Sequence, residues 1–428
     1  MPELFELSAR ETIRRVANGE LSVETLVRSH LDHIAEVDPP VGAWEYLDGE
    51  QALASARALD ASPPGGPLRG MLVGVKDVIS TADMPTTYGS KAYAGNQPPF
   101  DAVVVAQLRA AQGLVLGKTV STEFAAAAPG KTRNPYNGEH TPGGSSSGSA
   151  AAVAARMVQV ALGTQTAGST IRPAAFCGIV AYKPTYDLIE RTGTKTLAGS
   201  FDTIGVMARD VRDAAFFTAV VGGRPKLAVP DEVAAPKISL YRSEAWPLAK
   251  PEAEEALQRA ITALGKRGVA VPEIPLMEGY DRLLEIHMGM MDWEMLRALF
   301  YEHHVLADRI HPRSMETFTT RSEKASVEIY DQACADAYKA RAEIDKLFGD
   351  NDVLLTPPAP GEAPPGLEKT GDASFNRGWT MLHAPCVTVP AGFGPTGLPV
   401  GVQIVGRPGQ DAKTLAAAAF VEAALAEA

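Results

Sequence analysis

From residue 66 onward, the chain alternates short apolar runs with longer stretches patterned as helices. The runs are Leu72 to Val75, Leu114 to Leu116 and Met157 to Leu162. Between them lie a helical stretch near Asp101 to Ala111 and the small-residue run Ala150-Ala-Ala-Val-Ala-Ala155. Runs this short fall below ordinary helix length and read as buried strands. Strands alternating with helices build a sheet covered by helices on both faces, an α/β architecture. The theme continues through Lys237 to Arg242, a helix near Glu252 to Arg267, Val269 to Val271, and Asp352 to Thr356. The first 65 residues are helical instead. Ser8-Ala-Arg-Glu11 forms a capping box and Leu21-Ser22 opens a second helix to about Asp38.

Three stretches of this frame carry chemistry. Lys76 ends the apolar run Met71-Leu-Val-Gly-Val. Ser145 sits in Gly143-Gly-Ser145-Ser-Ser-Gly148, and Ser169 in Gly163-Thr-Gln-Thr-Ala-Gly-Ser169-Thr-Ile-Arg172-Pro173. A serine hydroxyl is a weak nucleophile and needs a base within hydrogen-bond reach. None of the three stretches holds a histidine, so the available base is lysine, which works only when burial lowers its pKa and leaves it neutral. Asp77 follows Lys76, but on a strand it points to the other face. The N–H groups of Thr166, Ala167, Gly168 and Ser169 can form an oxyanion hole, which needs at least two donors aimed at one point.

Other readings of the same residues are weaker. Gly144-Ser-Ser146-Ser-Gly148 satisfies the Gly-x-Ser-x-Gly elbow, with Ser146 as nucleophile, yet turn residues precede it where a strand is required. The glycine-serine stretch is no linker, because it runs straight into the Ala150 helix. Gly113-Leu-Val-Leu-Gly-Lys118-Thr119 is one residue short of a phosphate loop and reads as a buried strand. No His-x-x-x-His or Cys-x-x-Cys spacing supports a metal, and no cofactor is implied.

The serine stretches resemble the amidase signature family, marked by Gly-Gly-Ser-Ser and then Gly-Thr-x-x-Gly-Gly-Ser. Lys183-Pro-Thr, Ser200-Phe-Asp-Thr-Ile-Gly205 and Gly397-Leu-Pro-Val-Gly-Val-Gln403 extend the likeness. The resemblance implies a central mixed, twisted sheet with helices on both faces. It also implies Ser169 as the acylated nucleophile, Ser145 as the bridging serine after a cis peptide at Gly144, and Lys76 as the base. Departures are Gln165 for the usual Asp, Ala167 for the usual glycine, and Arg172 one place late. This form is similar to malonamidases and carbamate-cleaving urethanases, so the expected substrate is a small amide or carbamate, with esters as a side activity. Arg172, with Gly144, would bind substrate if that substrate carries a carboxylate; otherwise Arg172 is structural. The alternatives are a malonamidase-like enzyme for small acid-bearing amides and a non-catalytic component of an amidotransferase-type assembly.

With no repeat or long linker, residues 1–428 read as one domain. Residues 1–65 form a helical segment, 66–222 the catalytic core, 223–365 a variable substrate-shaping region, and 366–428 a return to the core. Within the variable region, Leu283 to Tyr301 is a methionine-rich helix, either core or an adaptable apolar wall of the substrate pocket. A net charge of −11 without a basic cluster argues against nucleic acid or anionic membrane as partners. Cys177, Cys334 and Cys386 imply no disulfide framework, and no signal peptide is visible at the start, which together suggest a cytoplasmic protein. A homodimer is compatible with all of this.

Overall fold

The computed structural model describes residues 3–428. Among them eleven strands share one sheet: β1 (Trp44–Tyr46), β2 (Leu72–Lys76), β3 (Leu114–Thr119), β4 (Val160–Gln165), β5 (Val180–Lys183), β6 (Thr203–Ala208), β7 (Ile238–Tyr241), β8 (Glu273–Ile274), β9 (Val353–Thr356), β10 (Cys386–Phe393) and β11 (Pro399–Gly406). Their order is β1-β3-β2-β4-β6-β5-β10-β11-β9-β7-β8. The trio β3, β2, β4 is parallel, as is β9, β7, β8; the remaining pairings are antiparallel.

Successive residues of one strand feed different cores. Val73 and Val75 of β2 and Val115 of β3 join helices Val103–Ala110, Val211–Val221, Pro251–Lys266 and Asp411–Ala426 in one cluster. Leu72, Leu114 and Leu116 join helices Val23–Val37, Gly49–Ala61, Ser147–Ala154 and Leu283–Ala298 in the other. A strand buried on both sides has no polar face to show, which is why these runs are continuously apolar. The expected mixed sheet with helices on both faces is therefore what forms. No helix among the described residues is long and apolar enough to cross a membrane.

Three sequence expectations shift. The first 65 residues are not helical throughout: β1 lies among them, three residues long, and becomes a strand by pairing with β3. Val269 to Val271 does not form a strand: Pro272 follows, lacks an N–H for a ladder, and β8 begins only after it. The methionine-rich helix ends at Ala298, and a separate helix, Phe300–Val305, starts beyond Leu299.

The helix Ser147–Ala154 is seated by a missing side chain. Gly148 N donates to Val120 O at 3.0 Å, and a Cβ at Gly148 would lie 2.3 Å from both Ala43 O and Val120 N. Both are backbone atoms, which cannot step aside as a side-chain tip would. Gly148→Ala should therefore lower unfolding free energy by about 3 kcal/mol, at the upper end of overpacking costs. An unchanged denaturant midpoint would show that the contact relaxes freely.

Candidate active site

Lys76 ends β2, the strand between β3 and β4, and is fully buried. Its Nζ lies 2.6 Å from Ser145 Oγ and 2.7 Å from Thr164 Oγ1 on β4. Burial pushes its pKa well below the ordinary lysine value, opposed by the charge of Asp202. A neutral amine has one lone pair and two protons, so it can accept from Ser145 while donating to Thr164. Asp77 does face away: it accepts from Thr87 N and Oγ1 and pairs with buried Lys118 at 3.8 Å.

The peptide between Gly144 and Ser145 is cis. Ser145 O accepts from Thr122 N at 3.1 Å, and Ser146 N donates to Ser169 O at 3.3 Å, so the two glycine-rich stretches meet. Ser146 is fully buried, with Oγ 3.2 Å from Thr164 N and 3.3 Å from Thr164 O. Its hydroxyl is spent on the backbone of β4 and cannot serve as the exposed nucleophile of an elbow.

Ser169 lies on the loop from β4 to the short helix Ile171–Phe176 and lines a cavity of about 430 Å³ with Thr166, Ala167 and Arg172. Gly144, Ser145 and Gly168 do not line that cavity. Among the described residues no hydrogen bond joins Ser145 to Ser169; catalytic hydrogen bonds often tighten only once substrate is bound. The backbone N–H groups of residues 166 to 169 find no acceptor among those residues either. Their aim is set from behind. His287 Nε2 donates to Thr166 O at 2.9 Å, and Thr380 Oγ1 lies 2.7 Å from Ala167 O. In a planar trans peptide the C=O and the following N–H point in opposite directions. Holding those two carbonyls therefore turns the N–H groups of Ala167 and Gly168 the other way.

Gln165 explains its own departure from the family pattern. Its Oε1 accepts from Thr170 N and Ile171 N at 2.9 and 3.0 Å, work a carboxylate could do, while Nε2 donates to Thr380 Oγ1 at 3.0 Å. The amide thus ties the helix start to the residue that braces Ala167. Arg172 is buried without an acidic partner: Nη2 donates to Gly144 O at 2.6 Å and Thr370 Oγ1 at 3.2 Å, and Nε has no partner. Burial and nearby Arg377 lower its pKa to about 10.

Sequence reasoning missed Thr164, Asp202, His287, Thr380 and Arg377. Thr164 lies in the stretch from Gly163 to Pro173 and Asp202 in that from Ser200 to Gly205, and Asp202 accepts from Thr166 Oγ1 at 2.5 Å, its pKa raised to about 6 by burial. His287 and Thr380 arrive from distant helices and left no local signal. Of the methionines, Met290, Met291 and Met295 are core, and Met291 and Met295 with the exposed Met288 line the cavity, so both readings of that helix hold.

The chain is similar to known proteins along nearly its whole length. Residues 25–415 match the family model described as Amidase. A glutamyl-tRNA(Gln) amidotransferase subunit from Thermus thermophilus is 35% identical over 98% of each chain. A crystal structure of an amidase is 28% identical, with a TM-score of 0.88 over 97% of this chain and 99% of that one. The structure of 6-aminohexanoate cyclic dimer hydrolase is 25% identical, with a TM-score of 0.87 over 99% and 98%.

Proposed function

Since the chain belongs to the amidase signature family, we propose that it hydrolyses the C–N bond of a small amide or carbamate through an acyl-enzyme on Ser169. Neutral Lys76 takes the proton of Ser145, and Ser145 takes that of Ser169 as Ser169 Oγ attacks the carbonyl carbon. The N–H groups of Ala167 and Gly168 hold the oxyanion. The proton then passes back through Ser145 to the leaving nitrogen, the C–N bond breaks, and water releases the acyl group by the reverse relay. Protonating the nitrogen is what the reaction needs, because amide ions leave poorly. The observation that carries this reading is the 2.6 Å contact between a buried lysine and Ser145.

The test is product release from malonamate, an aryl anilide and an aryl carbamate, with a fluorophosphonate used to trap the nucleophile. Hydrolysis of at least one substrate and an adduct on Ser169 are expected. No turnover and no adduct would favour a non-catalytic role in a larger assembly.

A second reading draws on the relative named for glutamyl-tRNA(Gln) amidotransferase: the chain releases ammonia from an amide inside a multi-protein complex. Glutamine hydrolysis that rises when the other components are added would favour it over a free-standing hydrolase.

A further inference from the structure

The cavity beside Ser169 is charged against the character of the chain. The protein carries −11 overall, yet Arg172, Arg313, Arg321, Lys369 and Arg377 line this cavity against a single acid, Asp372. Most of these cations are already engaged. Arg321 is paired with Asp292, Arg313 lies 3.7 Å from Glu368, Lys369 is exposed to water, and Arg172 spends its Nη2 on Gly144 O. Arg377 is different. Like Arg172 it has only neutral contacts, but none of them is an oxygen: Nη1 donates to His287 Nδ1 at 3.2 Å and lies 3.7 Å from Met291 Sδ. His287 donates from Nε2 to Thr166 O, which fixes the proton there and leaves Nδ1 as an acceptor. Burial and the nearby arginines also hold this imidazole neutral, well below its usual pKa. Asp372 forms no ion pair with Arg377 within 4.0 Å; its Oδ1 accepts from Ser374 N at 2.7 Å.

A guanidinium held in place, largely removed from water and lacking a counter-ion is costly unless something anionic completes it. We propose that Arg377 is a specificity-determining residue that binds a carboxylate carried by the substrate. The inference rests on the hydrolase reading above and narrows its substrate to an acid-bearing amide or carbamate. The imidazole that orients Arg377 also holds the Thr166 carbonyl, so the carboxylate site and the oxyanion loop share one rigid support. A neutral substrate would leave the guanidinium unmatched.

The test separates binding from turnover. The Ser169→Ala variant is titrated calorimetrically with malonate, succinate and glutarate, and with the corresponding neutral diamides. At least one dicarboxylate should bind at least tenfold more tightly than its diamide. Adding Arg377→Gln should weaken that dicarboxylate at least tenfold and leave the diamide unchanged, and Arg377→Lys should retain more affinity than Arg377→Gln. No dicarboxylate binding, equal losses for acid and diamide, or equal losses in the two Arg377 variants would overturn the proposal. Amide turnover surviving Ser169→Ala would instead refute the nucleophile assignment, and the titration would still report on Arg377.

Discussion

Ser169→Ala is expected to remove turnover of every amide, carbamate and ester substrate, by on the order of 10⁴- to 10⁶-fold in kcat, as for other deleted nucleophiles. The fold should survive, because the Ser169 side chain makes no hydrogen bond that the surroundings depend on; its backbone carbonyl, which receives Ser146 N, stays in place. Substrate affinity should be close to unchanged, since the arginines and the methionine wall are untouched. The assay is steady-state product release alongside fluorophosphonate labelling. Activity within tenfold of wild type, or an adduct on another serine, would move the nucleophile elsewhere.

Lys76→Met should cost about 10² to 10⁴-fold in kcat, the usual worth of a general base. Its more diagnostic effect is on pH dependence. Turnover needs the amine neutral, so the wild-type rate should climb as pH rises through the depressed pKa of Lys76 and then level off below the ordinary lysine range. The methionine variant should lose that limb. Stability follows the same sign. The unfolded chain holds a proton on this lysine at pH values where the folded chain does not, so unfolding free energy rises with pH between the folded pKa and the ordinary value of about 10.4. That rise should flatten in Lys76→Met, as read by denaturant unfolding across the pH series. A wild-type rate that falls toward alkaline pH would remove Lys76 as the base.

The strands that seat the catalytic groups were legible in the sequence because they are buried on both faces. Leu72 to Val75 and Leu114 to Leu116 could hardly be anything else, and the structure extends them to Lys76 and Thr119. The helix caps at Ser8 and Ser22 were legible for a local reason, a hydroxyl three residues before the N–H it serves. β5, β10 and β11 were not read as strands. Each is short or broken by proline and glycine, as in Cys386-Val-Thr-Val-Pro390 and Pro399-Val-Gly401, and each pairs with a strand far away in the chain, β5 with β10 and β11 with β9. The site divides along the same line. Lys76, Ser145 and Ser169 lie in glycine-rich or apolar stretches whose composition announces them. His287, Thr380 and Arg377 contribute through contacts more than 85 positions away in the chain for His287 and Arg377, and more than 200 for Thr380 and Ala167, and nothing beside them hints at it.

The strand order also bears on how the protein is made. β1 to β6 can assemble once residue 208 has left the ribosome, but the outer edge of β5 has no partner until β10 arrives at Cys386. At about 5 to 20 residues per second that edge stays open for on the order of ten seconds or more, offering unpaired N–H and C=O groups to any other chain. Nascent-chain protection by a holding chaperone, and aggregation of products truncated before β10, are the costs of a sheet whose centre is closed by its last-made hairpin.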